Sequence, residues 1–148
     1  MDVYFTTIVR GADVESGGEI VRLDWDSKKV VARKPIYPEN PSFHDPNPRG
    51  NSRGGRGVTM LPDGRIAVAS YHSIYLYSPD LSSRDQVSHG LFAGIHDLWL
   101  TSRDTLWVAS TTLDAALELD YRTGKILSQF WPREMKNIQQ DLGGIPGS

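Results

Sequence analysis

The stretch RGVTMLPDGRIAVAS (residues 56–70) recurs forty residues later as HDLWLTSRDTLWVAS (residues 96–110). The two stretches align without a gap, and each has an apolar segment, a polar turn and a second apolar segment ending in Val-Ala-Ser. The turns, PDG at 62–64 and SRD at 102–104, are rich in residues that favour tight turns. The pattern predicts a repeated unit of paired β-strands.

A third copy of the unit lies near the N-terminus. IVRLDWDSKKVVA (residues 20–32) aligns with ALELDYRTGKILS (residues 116–128) at an offset of 96, and VYFTTIV (residues 3–9) precedes it where the other units have the segment ending in Val-Ala-Ser. Fixed internal repeats decide the architecture of a chain.

Each complete unit is predicted to hold four short strands. Apolar and polar residues alternate along them with a period of two, as expected for β-structure. In the third unit the predicted strands are residues 96–101, 105–110, 115–120 and 125–130. One short helix is predicted over residues 133–142, so the chain is all-β apart from that segment.

Four strands repeated at a period near 40 predict a β-propeller rather than a sandwich or a barrel, neither of which requires an internal repeat. We predict one partial propeller domain over residues 1–148. Its parts are blade 1 (3–34, lacking its inner strand), a Pro/Gly-rich connector (35–55), blade 2 (56–91), blade 3 (94–132) and a tail (133–148).

These parts amount to about 2.75 blades, whereas closed propellers have roughly 4 to 8. An open stack leaves apolar blade faces and strand edges exposed. We therefore expect either a homodimer that completes a ring of about six blades, or a chain that is part of a longer protein.

Composition excludes several classes of function. The net charge is −2, with acids and bases mixed along the chain, so a nucleic-acid partner is not expected. There is no cysteine, which excludes disulfides, thiolate metal sites and a cysteine nucleophile. No apolar run approaches the length of a membrane span and the start does not resemble a signal peptide, so we expect a soluble, cytoplasmic protein with no membrane partner.

The sequence resembles six-bladed propellers of the gluconolactonase, TolB and NHL-like type. The resemblance is carried by RGVTMLPDGRIAVASYHSIYLYSPDL (residues 56–81) and GIHDLWLTSRDTLWVASTTLDAALELD (residues 94–120). It implies the fold and a range of activities that includes lactonases, lyases, sulfotransferase-like enzymes and non-catalytic binding proteins. The calcium-dependent members use several converging acidic and amide groups, whereas the matching positions here hold Arg56 and His96-Asp97. No metal or cofactor is therefore expected.

Arg56, His96 and Asp97 are the central candidate site residues. Arg56 and His96 are equivalent in the repeat, each opening an inner strand, so they are expected at one mouth of the channel. There Arg56 would pair with an anionic ligand, while His96, oriented by a carboxylate, would act as an acid or base. Alternatively, His96 and Asp97 hold neighbouring blades together through hydrogen bonds.

Loops expected at the same mouth supply further candidates. The connector has five prolines between 35 and 48, which excludes a helix or a central strand, and it would be a lid or a tolerated insertion. Its candidate ligand-binding residues are His44 and Arg53, with Asp45 and Arg49 beside them, and His72 lies in the loop between the second and third strands of blade 2. Most of the four tryptophans are expected to pack between blades.

The candidate residues and the open stack of blades lead to three alternative hypotheses about function. The first is a binding module whose mouth takes a small polar or anionic ligand or a protein partner. The second is an enzyme, a hydrolase, lyase or sulfotransferase-like transferase that uses His96 with Arg56 and Asp97. The third is a structural unit of an assembly, in which the exposed blade faces complete a ring.

Overall fold

The computed structural model describes residues 1–12, 16–37 and 54–135, and these residues form three antiparallel sheets. Each sheet is a meander in which every strand pairs with its neighbour in sequence. Blade 1 contains β1 (Asp2–Thr6), β2 (Glu19–Asp24) and β3 (Lys29–Pro35). Blade 2 contains β4 (Val58–Met60), β5 (Ile66–Ala69), β6 (Ser73–Tyr77) and β7 (Arg84–Ser88). Blade 3 contains β8 (Ile95–Leu100), β9 (Leu106–Ser110), β10 (Ala115–Asp120) and β11 (Lys125–Phe130).

The predicted all-β architecture of propeller blades is confirmed. The four predicted strands of blade 3 begin and end within one residue of β8 to β11. Blade 1 has three strands among the described residues, and β1 pairs with β2 as β9 pairs with β10. After β11 the chain forms a single 3-10 turn, Pro132–Glu134, followed by extended backbone at Met135. The rest of the helix predicted over 133–142 lies outside the described residues, so it stays a prediction.

The turns repeat in geometry as well as in sequence. In the turn after β4, Gly64 donates its amide to the carbonyl of Leu61 at 2.9 Å, and after β8 Asp104 donates likewise to Thr101 at 3.1 Å. Gly64 and Asp104 have φ of 86° and 59°, left-handed values that favour glycine and are also accessible to aspartate. The two turns therefore have one geometry despite different residues.

The turns after β2 and β10 share a second geometry, closed by the aspartate that ends each strand. Ser27 donates its hydroxyl to Asp24 at 2.6 Å, and Thr123 donates likewise to Asp120 at 2.8 Å. Because Asp24 and Asp120 accept these hydrogen bonds while ionised, the pKa of each carboxyl is lowered.

The core lies between the blades rather than within any one of them. Alternate residues of blade 2 point to opposite sides because side chains alternate across a strand. Towards blade 1 it presents Ile66, Val68, Tyr75 and Tyr77, which pack with Ile20 and Ile36. Towards blade 3 it presents Ala67, Ala69, Ile74 and Leu76, which pack with Leu98, Leu106, Val108, Leu117 and Leu119. The side of a blade that meets the preceding blade is called its leading face below, and the opposite side its trailing face.

Two of the tryptophans differ from the expectation of packing between blades. Trp25 is 49% exposed and Trp99 is 73% exposed. The physical reason is their position, since Trp25 directly follows a strand of blade 1 and Trp99 lies in blade 3, the two terminal blades of the stack.

Candidate functional site

The starts of the inner strands and the turns between second and third strands lie at the same end of blades 2 and 3. The ladder of β4 and β5 continues past β4, because Arg56 donates its amide to Ala69 and Ala69 donates to Gly57, both at 2.8 Å. Arg56 therefore lies at the end of the blade where β5 turns into β6. The turn residues Tyr71 and His72 lie at this end too. We call this end the mouth.

Arg56 and His96 come together at the mouth. The guanidinium Nη1 of Arg56 lies 2.7 Å from Nε2 of the His96 imidazole. A guanidinium has donors only, so Nε2 is the acceptor, and the ring is the neutral tautomer with its proton on Nδ1. The contact joins the inner strands of neighbouring blades, and His96 itself is exposed.

A β-bulge produces this contact. In the β8–β9 register Ile95 lies opposite Ser110 and Asp97 lies opposite Ala109, so His96 is an extra residue with no partner across the ladder. Bulges bend a strand and redirect side chains at such positions. Both His96 and Asp97 are exposed as a result.

Asp97 does not orient His96 in this structure. Its Oδ1 accepts the amide of Leu98 at 2.8 Å, a bond within its own strand. Among the described residues no hydrogen bond joins the Asp97 carboxylate to the His96 ring. Asp97 instead lies against blade 2, since a Cβ built on Gly57 would lie 2.9 Å from both Cα and Oδ1 of Asp97.

The turn carrying His72 is fixed to the next blade. The carbonyl of Tyr71 accepts the amide of Ile95 at 3.1 Å, and the Tyr71 hydroxyl lies 3.3 Å from Oγ1 of Thr112. The His72 ring packs edge-on against the Tyr71 ring, with centroids 4.4 Å apart. Tyr71 and Thr112 thus join blades 2 and 3 at the same mouth at which Arg56 and His96 meet.

Sequence reasoning missed the part played by Ser110, the last residue of the repeated Val-Ala-Ser. Its buried hydroxyl donates to the carbonyl of Leu91 at 2.7 Å and accepts the amide of Ala93 at 3.0 Å. These bonds hold the segment before β8 and so fix where β8, which carries His96, begins. The repeated Val-Ala-Ser was the available signal, because a small hydroxyl residue after apolar strand residues at the same place in two units is a capping pattern.

Several other expectations concern residues that the structure does not describe. His44, Asp45, Arg49 and Arg53 lie in the connector outside the described residues, so their place at the mouth stays a prediction. In the described ranges, no group of three or more His, Asp or Glu side chains is placed to hold a metal ion. None of the described helical segments is long and apolar enough to span a bilayer.

Comparison with known proteins identifies the class of fold. No protein-family model matches the sequence, and no curated protein matches it. Solved structures of propellers do match the fold of this chain. Virginiamycin B lyase from Staphylococcus aureus is 19% identical with a TM-score of 0.53, over 76% of this chain and 34% of that one. The Neurospora crassa Pan2 WD40 domain is 12% identical with a TM-score of 0.61, over 86% and 33%.

A third similar structure is the nidogen/laminin complex, 12% identical with a TM-score of 0.61, over 90% of this chain and 44% of that one. This chain therefore consists of β-propeller blades. It spans between one third and under half of the length of these three structures. At these identities the similarity concerns the fold alone.

Proposed function

We propose that the chain is a propeller-type binding module whose mouth takes the anionic group of a small polar ligand. The single observation that supports this proposal is the contact of Arg56 with His96 at the mouth, which places a cation and a hydrogen-bonding ring between two blades. Guanidinium groups recognise carboxylate, phosphate and sulfate groups because their donors match those oxygens in geometry and charge.

The neighbouring groups at the mouth favour the same chemistry. The Tyr71 and Thr112 hydroxyls lie within 3.3 Å of each other and can donate to a ligand oxygen. The nearby acid, Asp97, already accepts a backbone amide, which partly offsets its repulsion of an anion. An acidic side chain of a protein partner would satisfy the same groups, and it is the other ligand class that this mouth fits.

The proposal is tested by NMR titration of ¹⁵N-labelled protein with inorganic phosphate and, separately, sulfate, against chloride at equal ionic strength. We expect saturable shifts of the His96 ring and of the Tyr71 and Gly57 amides, and their loss in Arg56→Gln. Lys125→Gln removes one positive charge from the exposed outer strand of blade 3 and should leave the shifts unchanged. Equal shifts in chloride, or full retention in Arg56→Gln, would contradict the proposal.

An enzymatic role for the same residues is the alternative, with His96 as acid or base beside Arg56 and Asp97. The contacts favour binding over this role. The Nε2 lone pair of His96 is engaged by Arg56, and Asp97 is engaged by Leu98. Within the described ranges, His96 therefore has neither a free basic nitrogen on that side nor an orienting carboxylate. Turnover of lactone, ester or sulfate-ester substrates that is lost in a folded His96→Ala variant would favour the enzyme instead.

We propose further that the blades belong to a closed ring of about six. About three blades are present, and roughly 4 to 8 close a propeller. The missing blades come from a second copy, giving a homodimer, or from a longer chain. The absence of cysteine favours a reducing compartment, and the cytoplasm is the location we propose.

A further inference from the structure

We infer that two copies of this chain associate head to tail, the trailing face of blade 3 in one copy packing on the leading face of blade 1 in the other. This inference rests on the proposed ring and names the partner that completes it. It follows from comparing each terminal face with its equivalent inside the stack.

The leading face of blade 1 repeats apolar residues that are buried or partly buried in blade 3. At the offset of 96, Val21, Leu23 and Val30 correspond to Leu117, Leu119 and Ile126. Cross-strand pairing gives the same match for β1, because Phe5 lies opposite Val21 as Val108 lies opposite Leu117.

The exposure of these equivalent residues differs between the two blades. Val108 is 0% exposed against blade 2, whereas its equivalent Phe5 is 39% exposed. Val30 is 55% exposed, whereas its equivalent Ile126 is partly buried, and Val21 is buried as Leu117 is. Blade 1 therefore has the apolar pattern of a leading face, with Phe5 and Val30 still in contact with solvent.

Trp25, which directly follows β2, is also more exposed than its equivalent in blade 3. Its equivalent is Tyr121, which is 1% exposed, with the guanidinium of Arg65 from blade 2 lying 5.9 Å from the centre of its ring. Trp25 is 49% exposed, and its ring is covered by Lys28 of its own turn. In the interior of a stack the aromatic ring at this position meets a preceding blade.

The trailing face of blade 3 is the other half of such an interface. At the offset of 40, Trp99 and Trp107 correspond to Thr59 and Ala67 of blade 2, and Ala67 is buried in the core that blades 2 and 3 share. Trp99 lies opposite Trp107 in the β8–β9 register, and Phe130 lies opposite Ala116 farther out. Trp99 is 73% exposed and Phe130 is 36% exposed, so an apolar surface runs along this face.

One of the two free faces is a leading face and the other is a trailing face. This difference decides how two copies associate. Inside the stack a trailing face always packs on a leading face, so the free trailing face of blade 3 continues the established interface when it meets a free leading face. A second copy supplies that face. Two copies joined in this way supply two identical interfaces and about six blades, within the range that closes a ring.

The association is tested with two variants, each of which places a charge on one face. Trp99→Asp alters the trailing face and Phe5→Asp the leading face, while Met60→Asp, at a residue of the middle blade that is 56% exposed, is the matched control. Light scattering after size exclusion should give about twice 16.5 kDa for the unaltered protein and for Met60→Asp. Each face variant alone should be a monomer.

Mixing the two face variants separates head-to-tail association from the other arrangements. In a mixed pair one interface carries both substitutions and the other carries neither, so dimers should reappear, with weaker association than in the unaltered protein. Tryptophan emission should shift to shorter wavelength on association, since Trp25 and Trp99 lose contact with water. Circular dichroism of each variant establishes that it is folded.

Three outcomes would overturn the inference. They are a monomeric unaltered protein, a dimer broken by Trp99→Asp but not by Phe5→Asp, and open-ended assemblies of many sizes. The phosphate titration of Arg56 and His96, run on the monomeric Trp99→Asp variant, tests the mouth independently. Failure of the association and failure of ligand binding are thereby distinguished.

Discussion

Gly57 of blade 2 and Asp97 of blade 3 touch so closely that there is no room for a side chain at position 57. A Cβ at this position would lie 2.9 Å from the Cα of Asp97 and 2.9 Å from the amide nitrogen of Leu98. These are backbone atoms in a paired strand, which cannot move aside as a flexible side chain can. The inner strands of the two blades therefore meet at a glycine, immediately beside Arg56 and His96.

Replacement of this glycine should weaken the packing between blades. We expect Gly57→Ala to lower the free energy of unfolding by about 1–3 kcal/mol, the usual cost of overpacking. The matched control is Gly90→Ala, because a Cβ at Gly90 meets no atom within 4 Å. Urea denaturation measures both variants, and equal midpoints for the two would contradict the close contact.

His96 and His89 should carry their ring protons on different nitrogens. His96 uses Nε2 as acceptor for Arg56 at 2.7 Å, which puts its proton on Nδ1. His89 instead accepts the amide of Leu91 at Nδ1, at 3.1 Å, which puts its proton on Nε2. Long-range ¹H–¹⁵N spectra at about pH 8, where an ordinary imidazole is neutral, should distinguish the two.

Arg56→Gln provides the control for this assignment. Glutamine cannot supply the charged donor, so the His96 ring should shift towards the Nε2-protonated tautomer while His89 keeps its own. If His96 already has its proton on Nε2 in the unaltered protein, Arg56 does not donate to it and the geometry of the mouth is different.

The sequence predicts the strands well because strands here are set by local signals. The alternation of apolar residues and the repeated turn chemistry predict β10 and β11 to the residue. The position of His96 depends on a bulge in β8, which the alternation of apolar residues does not predict. A bulge is a property of the paired strands, so a single strand sequence carries little sign of it.

The exposure of Trp99 also could not be predicted from its own strand. Its equivalent, Thr59, lies on the face that meets the following blade, and the apolar pattern of the two strands is alike. Whether the residue is covered depends on what packs against that blade, and this is a tertiary property. Asp97 is a similar case, since its Leu98 bond is set by the bulge rather than by the His-Asp order in the sequence.

Loss of the Ser110 hydroxyl should destabilise the protein more than loss of an exposed one. Ser110 is 0% exposed and its Oγ also lies 3.1 Å from the carbonyl of Ala93, in addition to its bonds with Leu91 O and Ala93 N. Ser110→Ala leaves these backbone groups without that partner, and we expect a loss of about 1–3 kcal/mol. Ser128→Ala, in the exposed outer strand, is the control and should change the unfolding midpoint little. A similar effect of both substitutions would show that Ser110 does not hold the segment before β8.

The turn that joins β6 to β7 should make stability depend on acid. The Ser78 hydroxyl donates to Asp80 at 2.6 Å, and this bond, with those from the Ser82 amide and hydroxyl, lowers the pKa of the Asp80 carboxyl to about 2. An unfolded aspartate titrates near about 3.9. Because the folded pKa is the lower one, ionised Asp80 stabilises the fold fully above about pH 4, and that stabilisation is lost as the pH falls towards about 2.

This turn bears on the packing of blade 1, since the Tyr4 hydroxyl donates to the carbonyl of Pro79 at 2.7 Å and Leu81 is buried in the core shared by blades 1 and 2. Asp80→Asn removes the titrating group, so the free energy of unfolding should fall less steeply between pH 4 and pH 2 than in the unaltered protein. Glu134→Gln, an exposed carboxylate beyond the last strand, serves as the control and should leave the slope unchanged. The measurement is urea unfolding at a series of pH values, and parallel pH profiles for the unaltered protein and Asp80→Asn would contradict the assignment. A reduced slope confined to Asp80→Asn would place part of the acid sensitivity in the turn that docks blade 2 on blade 1.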